Sequence, residues 1–236
     1  METVQYSRIL GRVKNLVGLA ATETVDQRNL IRDLVSGRLA YIWDQAQWPM
    51  VTEWEERTVT VDATNGNYVP FQESGKNTIE AVFAVRDGIP FLETTSKSLE
   101  WGLGSRGIRV PADYTSVYVY YRRERPVLTG DAYSATTTYA IGDQVYDSTQ
   151  GDFYNCIAAS TGNAVTDTNY WEKVEIPREF EHYLVQGAYA DYLRNDGQEH
   201  KSIALSEGTA TKALKHALYT LKAAQGQQIR PRVRSY

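Results

Sequence analysis

With a single cysteine in 236 residues, the chain has no internal disulfide, and that usage fits a reducing compartment. Long hydrophobic runs are missing too: the longest fall far short of the ~20 residues a membrane helix needs, so no membrane partner is expected. The opening METVQYSRILGRVKNL carries charge throughout and lacks an apolar centre, so it does not read as a secretory signal. Excess positive charge is also absent, with 25 basic residues against 29 acidic ones and a net charge of -4. A protein that grips DNA phosphates across its surface is usually basic, so phosphate contact is not expected to dominate binding. Catalytic patterns are equally sparse. His182, His200 and His216 are too widely spaced for a metal pair, and no cysteine pair accompanies them. Cys156 has no base beside it and reads as a small buried hydrophobe. Gly102, Gly104 and Gly107 fit G-x-G-x-x-G, but IRVP follows where a phosphate-binding helix should open, so a glycine-rich turn is the better reading. Glu53, Glu55 and Glu56 flank Trp54 at the start of a strand region, where carboxylates usually form a solvated edge. The expectation is a protein with no catalytic residues, no cofactor and no metal, and not an enzyme.

What is present is patterned aliphatic and aromatic residues. Tyr occurs 17 times and Trp five times, and 42% of the chain is apolar, enough for packed cores. Residues 1–50 read as two amphipathic helices: Tyr6, Ile9, Leu10, Val13, Leu16 and Val17 form one stripe, and Leu30, Ile31, Leu34, Val35, Leu39, Ile42 and Trp43 a second. Gly18 loosens the first helix, Thr24 or Asp26 caps the second, and Pro49 stops it. Residues 51–130 change period. RTVTVDA alternates Val59 and Val61, TIEAVFAVRDG buries Ile79, Val82, Phe83 and Val85, and SVYVYYRRERP puts Val117, Val119 and Tyr121 opposite Tyr118 and Tyr120. Asn65-Gly66 and Asp87-Gly88 suit hairpin turns, so an antiparallel sheet is expected here. Residues 131–175 read as three short strands, with six acids against one lysine up to Val174, a net of -5. Residues 176–226 return to helix. Pro177 opens it, Phe180, Leu184, Ala188 and Tyr192 share a face, Asp196-Gly197 breaks it, and a second helix follows through Ile203, Ala210, Leu214, Ala217, Leu218 and Leu221, ended by Gly226 and Pro231. Residues 227–236 form a basic tail in which Arg230, Arg232 and Arg234 alternate with apolar positions, a pattern suited to an extended segment in a partner's groove. The fold expectation is α+β: a helical bundle from the amino- and carboxy-terminal helices, with an inserted antiparallel β-sheet and a small three-stranded β module.

The terminal blocks carry a resemblance. RLAYIWDQAQWP near the amino terminus and IPREFEHYLVQGAYADYLRNDGQEHKS, with the long helix and RPRVRSY tail after it, resemble the head–tail connector (adaptor) proteins of long-tailed bacteriophages. The resemblance covers residues 3–49 and 176–236, under half of the chain. It implies a virion neck protein forming a homo-oligomeric ring, usually of twelve subunits, beneath the portal protein. The carboxy-terminal helix and tail would dock on the portal, a stopper or head-completion protein would bind the distal side, and DNA would pass through the lumen without tight binding. Carried onto this chain, the portal contacts are Lys222, Arg230, Arg232, Arg234 and Tyr236.

The middle segment AYSATTTYAIGDQVYDSTQGDFYNCIAA…NYWEKV resembles the small chitin-binding type of carbohydrate-binding module. Tyr133, Tyr139, Gly142-Asp143, Val145-Tyr146, Phe153-Tyr154 and Trp171 match. That family's exposed tryptophan after the second aromatic strand is replaced here by CIAAS. The resemblance implies Tyr133, Phe153, Tyr170 and Trp171 as possible sugar-binding residues, and a host-adhesion role as the alternative function. The competing expectation is that Tyr139, Tyr146 and Trp171 serve as the module's own small core.

Overall fold

The computed structural model describes residues 2–19, 24–46, 48–62, 66–70, 78–84, 99–104, 106–111, 113–197 and 200–224. Val85, Asn65, the Asp87-Gly88 turn, Gly226 and Pro231 lie outside the described residues. The fold is α+β. Among the described residues there are four α-helices and several small, mainly antiparallel sheets. The chain divides into two compact units: Met1–Ala46 with Pro126–Tyr236, and Gln47–Arg125.

In the first unit, α1 (Tyr6–Val17) buries Tyr6, Ile9, Leu10 and Val13 of its expected stripe, and α2 (Val25–Trp43) buries Ile31, Val35, Leu39, Ile42 and Trp43. Leu16 and Leu30, expected on the same faces, are exposed, and Val17 and Leu34 are half-buried. Gly18 ends α1 in the left-handed region at φ 77°, a conformation open to glycine at little cost. Thr24, rather than Asp26, caps α2: its hydroxyl accepts from the Gln27 N–H while the Gln27 side chain accepts from the Thr24 N–H. The helix stops at Trp43, before Pro49, which opens a short 3-10 turn. Pro177 likewise precedes a 3-10 turn (Arg178–Phe180), and α3 (Glu181–Asn195) begins only after it. Gly197, at φ 68°, follows the end of α3, and α4 runs from His200 to Ala224. Helix α3 is the central element and packs against α1, α2 and α4. Phe180, Leu184 and Ala188 are fully buried.

The same unit holds the tyrosine-rich segment. Six strands form there rather than the expected three. A four-stranded sheet runs β12 (Trp171–Lys173), β10 (Asp152–Cys156), β9 (Gln144–Asp147) and β7 (Asp131–Ala132), with β7 parallel to β9. A separate pair joins β8 (Thr138–Tyr139) to β11 (Ser160–Thr161). The additional strands are two residues long, too short for alternation to reveal. The core is Tyr139, Val145, Tyr154, Cys156, Val165 and Trp171, with Tyr133 and Tyr170 packed against it. Tyr146, expected in that core, lies on the opposite face of the sheet. Together with Phe153 it packs edge-on against Tyr6 of α1, at centroid distances of 5.8 and 4.9 Å.

In the second unit, β6 (Ser116–Arg122) lies between β1 (Thr52–Thr58) and β3 (Thr78–Phe83), both antiparallel to it. A second sheet orders β2 (Tyr68–Val69), β5 (Gly107–Arg109) and β4 (Gly102–Gly104). Val59, Val69, Val82, Ile108, Val110, Val117 and Val119 form the core. The RTVTVDA expectation needs correction. The strand ends at Thr58, Val59 is buried, and Val61 is 74% exposed. The chain leaves the ladder where the alternation seemed to continue. The Val59 N–H still donates to the Thr115 carbonyl, and Thr60 then pairs with Tyr68 instead.

Candidate functional site

Three regions come into question: the aromatics of the small β module, the basic tail, and the clefts of the helical unit. The hairpin joining β9 to β10 passes through Gly151 at φ 73° and delivers Asp152 to the amino end of α1. Gln5, the residue before α1, makes no side-chain cap. The module supplies one instead. The Asp152 carboxylate accepts from the Tyr6 N–H at 2.8 Å, and the Gly151 carbonyl accepts from the Ser7 N–H at 2.8 Å. Two of the helix's orphan donors are thus satisfied from a distant part of the sequence, and the negative charge lies at the positive end of the helix dipole. Asp152 is buried, and its other oxygen receives the Lys173 ammonium at 2.8 Å.

This docking decides what two proposed sugar-stacking residues are in contact with. Phe153 is 2% exposed and packs on Tyr6 and Tyr146; Trp171 is 2% exposed and packs edge-on against Tyr133 and Tyr139, its indole N–H donating to the Asn163 carbonyl. Neither presents an open ring face. Tyr133 and Tyr170 are half-buried, and the Tyr133 hydroxyl donates to the Asn163 carbonyl. Burial pushes the Tyr133 phenol pKa up. Ile157, at the place where the resemblance expects an exposed tryptophan, is 44% exposed and close to Ile141, which is 72% exposed. A polar groove of about 430 Å³ opens on the module, lined by Thr129, Asp131, Thr138, Tyr139 and Gln144 among others.

The helical unit holds a charged network that the stripes did not signal. Arg38 of α2 reaches across α3 to α4. Its guanidinium grips Asp191 with two bonds of 2.6 and 2.7 Å and Glu207 with two of 2.9 and 2.6 Å. Arg194 bonds both acids as well, reaching Glu207 at 3.0 Å. The Arg38 charge sits 5.9 Å from the centre of the Tyr183 ring, and Tyr183 stacks on Tyr41. A cleft of about 450 Å³ opens here, bounded by Gly37, Arg38, Tyr41, Tyr183, Thr211 and Leu214 among others. Burial by itself would make Arg38 a stronger acid, but its bonds to the two carboxylates outweigh that and hold it charged well above its ordinary range. The bonds from Arg38 hold the Glu207 carboxyl below its ordinary value of 4.5. Two cations face two anions, so the network closes as a joint among three helices and leaves no surplus charge for a ligand. A second joint ties α1 to α3: Arg8 and Arg12 both donate to Glu181 at 2.8 Å. Burial works to raise the Glu181 pKa, and the two arginines overcome it and lower it.

The remaining candidates are structural. Gly104 pairs with Gly107 in the β4–β5 hairpin, so the G-x-G-x-x-G stretch is a turn with no helix after it. Glu53 accepts from the Tyr121 hydroxyl and Glu55 pairs with Arg57, both on the edge strand β1. Burial and the Glu53 carboxylate push Tyr121 up to about 12. Cys156 is buried, and its thiol donates to the Ala158 carbonyl. His182, His200 and His216 are exposed on separate turns. Among the described residues no group of three or more His, Cys, Asp or Glu could hold a metal ion. Arg230, Arg232, Arg234 and Tyr236 lie outside the described residues; Lys222 belongs to α4, but its side chain is likewise outside them. The chain matches no protein-family model, and no curated protein matches it.

Proposed function

We propose that this protein is a structural connector of a bacteriophage neck, a ring-forming adaptor beneath the portal that receives the stopper and leaves a channel for DNA. In this reading α1 to α4 are the connector's helical bundle, with the two β regions as insertions. The observation that carries it is α4. This helix has 25 residues, yet Ser206 and Ala210 alone are fully buried among its described side chains, while Leu205 and Tyr219 are 74% and 62% exposed. A helix this long with so little cover is suited to packing in an assembly. It leads directly into the arginine-rich tail. The grouping of both chain ends in one compact unit, with Gln47–Arg125 inserted between them, supports the same reading. The net charge of -4 also suits a channel through which DNA must slide.

Electron microscopy of the full chain mixed with a candidate portal tests the proposal. Rings are expected on the portal, and truncation after Gly226 is expected to abolish them. A chain that stays monomeric and never joins a portal overturns the reading, and unchanged binding by the truncated chain overturns the docking role of the tail.

The alternative, a carbohydrate-binding or host-adhesion protein, has the open polar groove beside Tyr139 in its favour. With Phe153 and Trp171 buried, it depends on Tyr133 and Tyr170. On a glycan array the full-length protein should then give signals that fall to background in Tyr133→Ala/Tyr170→Ala. Equal signals from protein and variant, or none from either, end the alternative.

A further inference from the structure

The first unit carries two exposed surfaces of opposite character. One is the end of the β module. The Gly142 N–H donates to the Cys156 carbonyl, the Cys156 N–H to the Asp143 carbonyl, and the Ile157 N–H to the Tyr170 carbonyl. These bonds gather Ile141, Ile157, Asp143 and Tyr170 at one tip. The Tyr170 N–H donates to the Asp167 carbonyl and brings that acid to the same place. Ile141 is 72% exposed and Ile157 is 44% exposed. Both carboxylates are fixed: Asp143 accepts from the Ala140 N–H, and Asp167 from the Asn169 N–H and side chain. With Asp152 neutralised by Lys173, the module still keeps Asp131, Asp143, Asp147, Asp167 and Glu172 without a compensating base in its own sequence.

The other surface is the outer face of α4. Lys201, Leu205, Gly208, Lys212, Lys215 and Tyr219 follow one another at intervals of three and four, so they fall on one stripe. All are exposed except the half-buried Gly208, and none is acidic. The stripe is ~27 Å long at 1.5 Å per residue, enough to receive a small β tip. Its acid, Glu207, faces the other way and is held by Arg38.

We propose that the acidic, aliphatic tip of the module in one copy docks on the basic, aliphatic stripe of α4 in a second copy. Charge complementarity selects the second copy as occupant: each copy carries one surface and the matching opposite one. The two patches are different, so the contact is heterologous, and repetition produces a ring when the rotation closes. Aliphatic side chains at the tip, in place of an aromatic platform, suit a protein surface better than a sugar. This inference rests on the ring reading above and names the surfaces that would build the ring.

The test uses full-length chains in sedimentation velocity at low and high salt, repeated on the portal if the free protein is monomeric. Lys212→Glu/Lys215→Glu and Asp143→Lys/Asp167→Lys should each weaken self-association at least about tenfold, because like charges would then face each other. Mixing the two variants should restore association, since each reversed surface meets its complement on the other chain. Far-UV circular dichroism checks that both remain folded. If the wild type associates and the reversals do not weaken it, or the mixture fails to recover, this interface is wrong while the ring reading stands. A closed dimer that forms no larger species also overturns it. A wild type that never associates, alone or on a portal, overturns the ring reading and this interface with it.

Discussion

Arg38→Ala is expected to lower the stability of the helical unit by about 2–4 kcal/mol, read as a lower urea midpoint at unchanged slope. Removing one partner of a buried ion pair ordinarily costs about 3–5 kcal/mol, and the lower figure reflects carboxylates that keep some water. The Asp191 and Glu207 side chains are 24% and 33% exposed, against 12% for Arg38. The variant strips four charge-assisted hydrogen bonds and leaves Arg194 alone between two anions. Arg38→Lys should recover little, because an ammonium is a point charge and cannot reproduce a planar double fork. Gly187→Ala attacks the same joint from beneath. A Cβ there would lie 2.8 Å from Cδ and 3.0 Å from Nε of Arg38, a side chain that four bonds prevent from moving aside. It should cost about 1–3 kcal/mol, and far less once Arg38 is already alanine. Additive losses in the double variant would refute the joint.

The same network gives the helical unit an acid limit. Glu207 and Glu181 both titrate below their ordinary value in the folded chain. A depressed carboxylate contributes stability that is complete above the unfolded pKa and is lost as pH falls through the folded one. Stability should therefore hold down to about pH 4.5 and decline below it, with a shallower decline in Arg38→Ala, which relieves the depression at Glu207.

Much of the helical architecture was legible because the stripes are long and regular. Ile31, Val35, Leu39 and Ile42 are all fully buried, as their spacing requires. The charged joint escaped notice because each of its members looks like an ordinary solvated residue in its own helix. A signal was present nonetheless. Arg38 falls in line with Ile31, Val35 and Ile42, Asp191 with Leu184 and Ala188, and Glu207 with Ala210 and Leu214, three charges each on an apolar face. A charge on such a face needs a partner, and three helices carrying one each could have supplied it. The β module was harder to read. Strands of two residues have no period, and the aromatic alternation of Tyr146 and Phe153 cannot say whether the second face meets water, sugar or a helix. That face meets Tyr6, 147 positions from Phe153 in sequence. Local pattern carries no information about such a contact. RTVTVDA shows the opposite failure: a clean alternation at Val59 and Val61 that the backbone does not follow.

Asp152→Ala is expected to loosen α1 and the β module together, at a cost of about 2–4 kcal/mol. Losing the cap leaves the buried Tyr6 N–H unmet, which accounts for about 1–3 kcal/mol, and the loss of the Lys173 partner and of the negative charge at the helix end supplies the rest. Asp152→Asn keeps an acceptor for the Tyr6 N–H but gives up the Lys173 pair and the favourable charge at the helix end, so it should cost less. Amide hydrogen exchange separates this docking from a module that merely hangs on the surface. Faster exchange should appear at Tyr6 and Ser7 and, in parallel, along β9 and β10. Acceleration confined to the module would mean that α1 does not depend on it. Gly151→Ala provides the steric counterpart. Its Cβ would lie 2.2 Å from Oγ and 2.7 Å from Cβ of Ser7, at a backbone φ of 73°. Ser7→Ala leaves the second clash in place, whereas Ser7→Gly removes both. Adding Ser7→Gly to Gly151→Ala should therefore recover stability down to a residual of about 1 kcal/mol from the left-handed backbone and the added helical glycine. If Ser7→Ala rescues equally well, the hairpin does not sit against α1 as closely as the geometry requires. The tyrosine-rich segment would then owe its place to the aromatic contact of Tyr6 with Phe153 and Tyr146.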